Sequence, residues 1–362
     1  MRALKPSLIT SFNMSGMLGP YQPEANDFIA FVNPASNKVD IGADLYLMME
    51  SDVRKWCEYW GIEQLAAVDF LAQLEGRMND FLEQLKTKLD TVGIKVVSAT
   101  SFVPEISNMN DRANDDYTRT SWGKALIAIF QIANSLQSHR DQTVVQMVAG
   151  SVLDQFRVAK RDGASRFSVS TRERTSLITL VLNRLSQCLE AAHEKGVDTD
   201  RLRIALELEP GPLYLLQNRK SLEEFSRAID NHRCGLVKKC VGFNLDIAHW
   251  WLCRDLNTQD DVALDVRQKI FGGHIAGHSP RGHFGDLSLT KLVARARLDR
   301  FAKEQLEAYQ MWLRFLADES GTPNAAGHVS LELEAAKPNE DVSSSLQLLR
   351  EWVDPTTNRS DI

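Results

Sequence analysis

Short apolar runs rich in β-branched residues recur along the chain, separated by longer stretches in which apolar residues return every three or four positions. Runs of the first kind read as buried strands and the second as amphipathic helices, so their alternation predicts βα units around a parallel sheet. Strands are expected at 6–12, 64–70, 94–101, 143–150, 203–209, 241–250, 271–277 and 328–334. Helical patterns lie at about 51–60, 75–92, 122–138, 172–195, 221–232, 260–270, 299–318 and 342–353. Ser221 followed by Glu224 reads as a capping box, Ser170 or Thr171 can cap the helix that begins at 172, and Gly196 supplies its stop.

Eight strands alternating with helices is the count of a (β/α)₈ barrel, and no Gly-rich GxGxxG follows any strand to favour a dinucleotide-binding sheet. The fold class expected is therefore α/β, a single-domain TIM barrel spanning 1–362. The connections at 13–50, 102–121, 151–171 and 278–298 are long, and in a barrel such connections gather at the C-terminal face of the strands, where they are expected to cover a site.

Composition narrows the function. Hydrophobic residues make up 43% and charged residues 25%, which suits a chain able to bury a large core. Lys plus Arg number 42 against 48 Asp plus Glu, a net charge of −6 and the wrong sign for a protein that neutralises a phosphate backbone, so no nucleic-acid partner is expected. The apolar stretches, such as 125–133, are broken well short of a bilayer span, and the start MRALKPSLITSF lacks the long apolar core of a secretory signal. Cys57, Cys188, Cys234, Cys240 and Cys253 are odd in number and show no CxxC spacing, which argues for reduced thiols in a cytoplasmic chain.

The chemistry concentrates at the ends of the last four strands. There stand Glu207 and Glu209, then Asp246 and His249, then His274, His278, His283 and Asp286, then Glu332 and Glu334. Four of the eight histidines fall between 249 and 283. Residues two apart on a strand share a face, so either glutamate of each pair can look inward. Carboxylates and an imidazole converging from neighbouring strands would repel one another without a cation, and the donor set suits a divalent ion of the Mn²⁺, Mg²⁺, Co²⁺, Fe²⁺ or Zn²⁺ group.

The order Glu, Asp-x-x-His, His, Glu over 200–335 resembles the xylose isomerase-like (β/α)₈ superfamily of sugar isomerases and epimerases, inosose dehydratases and endonuclease IV relatives. The resemblance implies Glu207, Asp246, His274 and Glu332 as metal ligands. It implies Glu207 and Glu332 as the acid and base, and His249 as a donor that orients a substrate hydroxyl. The function expected is a metal-dependent isomerase or epimerase, or a dehydratase, acting on a sugar, cyclitol or related polyhydroxy carbonyl compound through enediolate proton transfer.

Endonuclease IV relatives place further histidines on earlier strands, which here end in VDF, SATS and VAGS. The string HIAGH at 274–278 also looks like the HLAGH segment of multinuclear iron-dependent oxidases, which makes His278 a ligand in that alternative; a metabolite-binding barrel without turnover is the third. Trp250 and Trp251 are candidate walls of a sugar pocket, His278 a further substrate contact, and Arg281 a candidate for a substrate phosphate or carboxylate. His283 and Asp286 are candidates for a second metal or a lid clamp. The partner expected is a small-molecule substrate, and a homo-oligomer is compatible with the sequence.

Overall fold

The computed structural model describes residues 9–14, 20, 41–47, 50–108, 116–139, 141–151, 171–211, 214–253, 255–256, 258–278, 286–317, 328–332 and 338–353. In chain order the elements are β1 (Ile9–Met14), β2 (Ile41–Tyr46), α1 (Glu50–Trp60), α2 (Ala67–Ala72), α3 (Met78–Val92), β3 (Ile94–Val103), α4 (Ser121–Leu136), β4 (Thr143–Ala149), α5 (Thr171–Glu194) and β5 (Leu202–Glu207). There follow α6 (Arg219–Asp230), α7 (Gly235–Cys240), β6 (Val241–Asp246), α8 (Ile247–Leu252), α9 (Leu264–Arg267), β7 (Ile270–Ile275), β8 (Gly277–His278), β9 (Asp286–Leu287), α10 (Leu289–Ala296), α11 (Arg300–Ala317), β10 (His328–Leu331) and α12 (Pro338–Val353).

The sheet is all parallel, curled and closed in the order β1-β10-β7-β6-β5-β4-β3-β2, with β1 pairing both β2 and β10. Closure removes both sheet edges and directs every second side chain inward. The outward faces of β5 and β6, with Ile204, Leu206, Phe243 and Leu245, are fully buried in the main apolar core, to which the surrounding helices also contribute. Trp250 of α8 meets Trp312 of α11 edge to face at 5.4 Å in that layer.

Two sequence expectations are corrected. The segment 64–70 is not the second strand: Ala67–Ala72 is helical, and β2 lies at Ile41–Tyr46, inside what the sequence suggested was one long connection over 13–50. An Ala-rich apolar run carries no β-branched signal beyond Val68, while IGADLY is short and interrupted by Gly and Asp. The strand expected at 241–250 stops at Asp246, whose side chain caps α8 by accepting from the backbone N–H of His249 at 2.8 Å.

Smaller shifts have local reasons. Helix α6 begins at Arg219, because Asn218 is its cap and Ser221 is the residue that reciprocates three positions on. Gly196, at φ +86°, ends α5 as expected. The connection over 278–298 carries the short antiparallel pair β8 and β9 and then α10. The greater part of the expected loop at 151–171, and of 13–50 outside β1 and β2, lies outside the described residues. All five cysteines are free thiols, and no described helix is long and apolar enough to cross a membrane.

Candidate metal centre

Strands β5, β6, β7 and β10 are consecutive neighbours in the closed sheet. Glu207 closes β5, Asp246 closes β6, His274 is the penultimate residue of β7, and Glu332 directly follows β10, where its backbone N–H donates to the Ile275 carbonyl at 3.1 Å. One donor atom from each of these four side chains lies within 4.8 Å of the other three. Donors on opposite sides of a Mg²⁺-type or Zn²⁺-type ion stand roughly 4.0–4.4 Å apart, twice a metal–ligand bond of about 2.0–2.2 Å. The set therefore matches one coordination shell after a contraction of a few tenths of an ångström.

His274 is the hub. Its Nδ1 lies 2.9 Å from Glu332 Oε2 and 3.3 Å from Glu207 Oε1, and its side chain is fully buried. Three carboxylates held this close in a buried setting are unfavourable unless protons or a cation compensate them. Burial raises the Glu207 carboxyl to about 8; His274 opposes this, while the charges of Glu332 and Asp246 add to it. A divalent cation fits the same need, so the donor chemistry and the geometry agree.

His249 sits on the first turn of α8, and the cap at Asp246 folds it back over the strand ends. Its Nδ1 is 3.0 Å from the Leu208 carbonyl, 3.5 Å from Asp246 Oδ2, and 3.8 Å from both Glu207 Oε1 and Glu209 Oε2. Burial works against its charge, yet Asp246, Glu209, Glu207 and Glu332 together raise the imidazole to about 10. His249 thus presents a cationic donor beside the donor cluster. Glu209, the alternative to Glu207 on the same strand, lies outside the four-residue cluster and contacts His249 instead.

The remaining sequence candidates divide. His278 is half-buried on β8 and lies outside the four-donor cluster; burial and the nearby His249 lower its pKa, with Asp246 opposing. The Tyr309 hydroxyl donates to the Ala276 carbonyl at 2.6 Å, so α11 fixes the exit of β7.

Trp250 is corrected from pocket wall to core: because the helix starts at Ile247, its ring is turned outward onto Trp312 and is fully buried. Trp251 is likewise buried, against Phe301. Arg281, His283 and Glu334 lie outside the described residues, and of Asp286 only the backbone of β9 is described.

Sequence reasoning passed over the polar floor beneath the cluster. Thr100 donates to Gln146 at 3.1 Å, and Gln146 bonds His328 at 3.2 Å, a chain that spans the barrel interior from β3 and β4 to β10. Asn244 is a further buried polar side chain, outside that chain of hydrogen bonds, two residues before Asp246 on the same inward face. The available signal was a polar residue at the inward-facing positions of strands that otherwise read as continuous apolar runs.

A model of the xylose isomerase-like TIM barrel family matches residues 57–352. No curated protein matches the chain. Among solved structures, a xylose isomerase-like TIM barrel protein from Mycobacterium smegmatis in complex with magnesium is 15% identical, with 96% of this chain and 98% of that one covered and a TM-score of 0.50. The probable 3-DHS dehydratase AsbF of Bacillus anthracis, involved in petrobactin synthesis, is 13% identical over 94% of this chain and 98% of its own, at a TM-score of 0.48. A xylose isomerase domain protein from Planctomyces limnophilus is 12% identical over 96% and 98%, at 0.44. With the family model covering most of its length, the chain belongs to the xylose isomerase-like TIM barrel family.

Proposed function

We propose that the protein is a metal-dependent isomerase or epimerase of a sugar, cyclitol or related polyhydroxy carbonyl compound, with dehydration open to the same apparatus. The observation that supports this most is the convergence of Glu207, Asp246, His274 and Glu332 from four neighbouring strand ends. These four would hold one divalent ion, Mn²⁺ or Mg²⁺ by the oxygen-rich donor set, and the bound ion would act as a Lewis acid toward a carbonyl and its neighbouring hydroxyl.

The protein's own groups supply the proton chemistry. Glu207 and Glu332 approach His274 Nδ1 from two strands, and one takes the proton from the carbon next to the carbonyl while the other returns one. His249, whose Nδ1 is held by the Leu208 carbonyl, donates to a substrate oxygen through its other ring nitrogen. Asp246, locked by its bond to the α8 N-terminus, serves as the fixed ligand. The working compartment is the cytoplasm, and the partner is a small molecule.

Incubation of the Mn²⁺-loaded protein with a panel of aldoses, ketoses and cyclitol ketones in heavy water tests the reading. It predicts deuterium at the carbon next to the carbonyl of the turned-over compound; turnover that consumes O₂ would instead support the iron-oxidase chemistry that enlists His278.

A further inference from the structure

The interior of a TIM barrel is ordinarily filled by branched apolar side chains. Here the strands that carry the four donors are polar one step further in. Asn244 stands opposite Glu207 in the β5–β6 ladder and two residues before Asp246 on the inward face of β6, with no exposure to solvent. Among the described residues, neither its carboxamide oxygen nor its nitrogen has a hydrogen-bond partner. Gln146 and Thr100, in the same interior, are joined to each other and to His328. An amide buried without partners is unfavourable relative to an apolar side chain of the same shape, so its place beside two of the four donors calls for an explanation.

We propose that Asn244 is a positioning residue of the metal centre, its carboxamide donating to the Glu207 carboxylate oxygen that is turned away from a bound cation. The inference rests on the metal reading above. Glu207 Oε1 lies 3.3 Å from His274 Nδ1, on the side of the donor cluster. A carboxylate bound to a cation through one oxygen needs a donor for the other. The neighbouring strand offers the Asn244 amide at the register position directly across. The buried amide without a partner is then a donor available to that oxygen.

The test compares Asn244→Leu and Asn244→Ala with the parent protein, using Mn²⁺ alone as the probe in calorimetric titration, and thermal melting with and without the ion. The expected result is a 10- to 100-fold weaker Mn²⁺ affinity in both variants, the usual cost of removing a group that orients a ligand. The metal-free melting temperature of Asn244→Leu is expected to be unchanged or raised. A merely structural asparagine would lower the metal-free melting temperature of both variants and leave Mn²⁺ affinity in the surviving fold unchanged, and that outcome overturns the proposal. Parent-like affinity in both variants with intact melting overturns it equally. Failure of the parent itself to bind Mn²⁺, Mg²⁺ or another divalent ion would remove the metal reading and this inference with it, a result distinct from a defect confined to the variants.

Discussion

His274 Nδ1 lies 2.9 Å from Glu332 Oε2, with the next glutamate, Glu207, 3.3 Å away on the other side. A ring nitrogen in that position can meet the carboxylates with a hydrogen or a cation with its lone pair, but not both at once. Proton and metal therefore compete for one position, which gives the site measurable properties without knowledge of the substrate.

The first concerns Glu332. Glu332→Gln keeps the shape and an oxygen donor while removing the base, so it should reduce deuterium incorporation from heavy water by about 10² to 10⁴-fold. Metal content must be measured beside the rate, because loss of the ion would abolish binding and exchange together. Full exchange in a metal-loaded Glu332→Gln protein would show that the base lies elsewhere.

The pH dependence follows from Glu207 and His249. Glu207 rises from 4.5 to about 8 and His249 from 6.5 to about 10. Both folded-state values exceed the unfolded ones, so the folded metal-free chain binds more protons, and its stability is predicted to fall as pH rises from about 4.5 to 10. Cation uptake must expel the Glu207 proton below pH 8, so Mn²⁺ affinity should climb about tenfold per pH unit well below that value and level off near it, with close to one proton released from Glu207 per ion at pH 7. Calorimetry in buffers of different ionisation enthalpy reads both quantities. A flat affinity between pH 6 and 8 would contradict the assignment of Glu207.

Trp250 separates packing from recognition. Its ring is buried against Trp312 and never reaches the barrel mouth. Trp250→Phe should cost about 1–3 kcal/mol in denaturant unfolding and leave Mn²⁺ affinity and KM unchanged. A raised KM with unchanged stability would restore the pocket-wall role.

The second half of the barrel was legible in the sequence because β5, β6, β7 and β10 are compact, largely apolar runs, each with its chemical residue at or next to its end. The structure brings together the four ligands that the family resemblance implied, Glu207, Asp246, His274 and Glu332. The first half was less legible. The parallel strand β2 is short, and its identity depends on pairing with β1 and β3 rather than on any pattern of its own. The overrun of β6 into α8 had a readable cause, since an Asp three residues before His249 is an N-cap signal as much as half of a metal motif. The unpaired Asn244 was not legible, because whether a buried amide finds a partner depends on the neighbouring strands.

The central claim is that Glu207, Asp246, His274 and Glu332 share one divalent ion. A crystal grown with MnCl₂, measured at an energy where manganese scatters anomalously, tests it most directly. The account predicts one anomalous peak about 2.0–2.3 Å from a single donor atom of each of the four side chains. A peak held by other residues, or none at these four at saturating Mn²⁺ and at Mg²⁺, Co²⁺, Zn²⁺ and Fe²⁺ in turn, would contradict it.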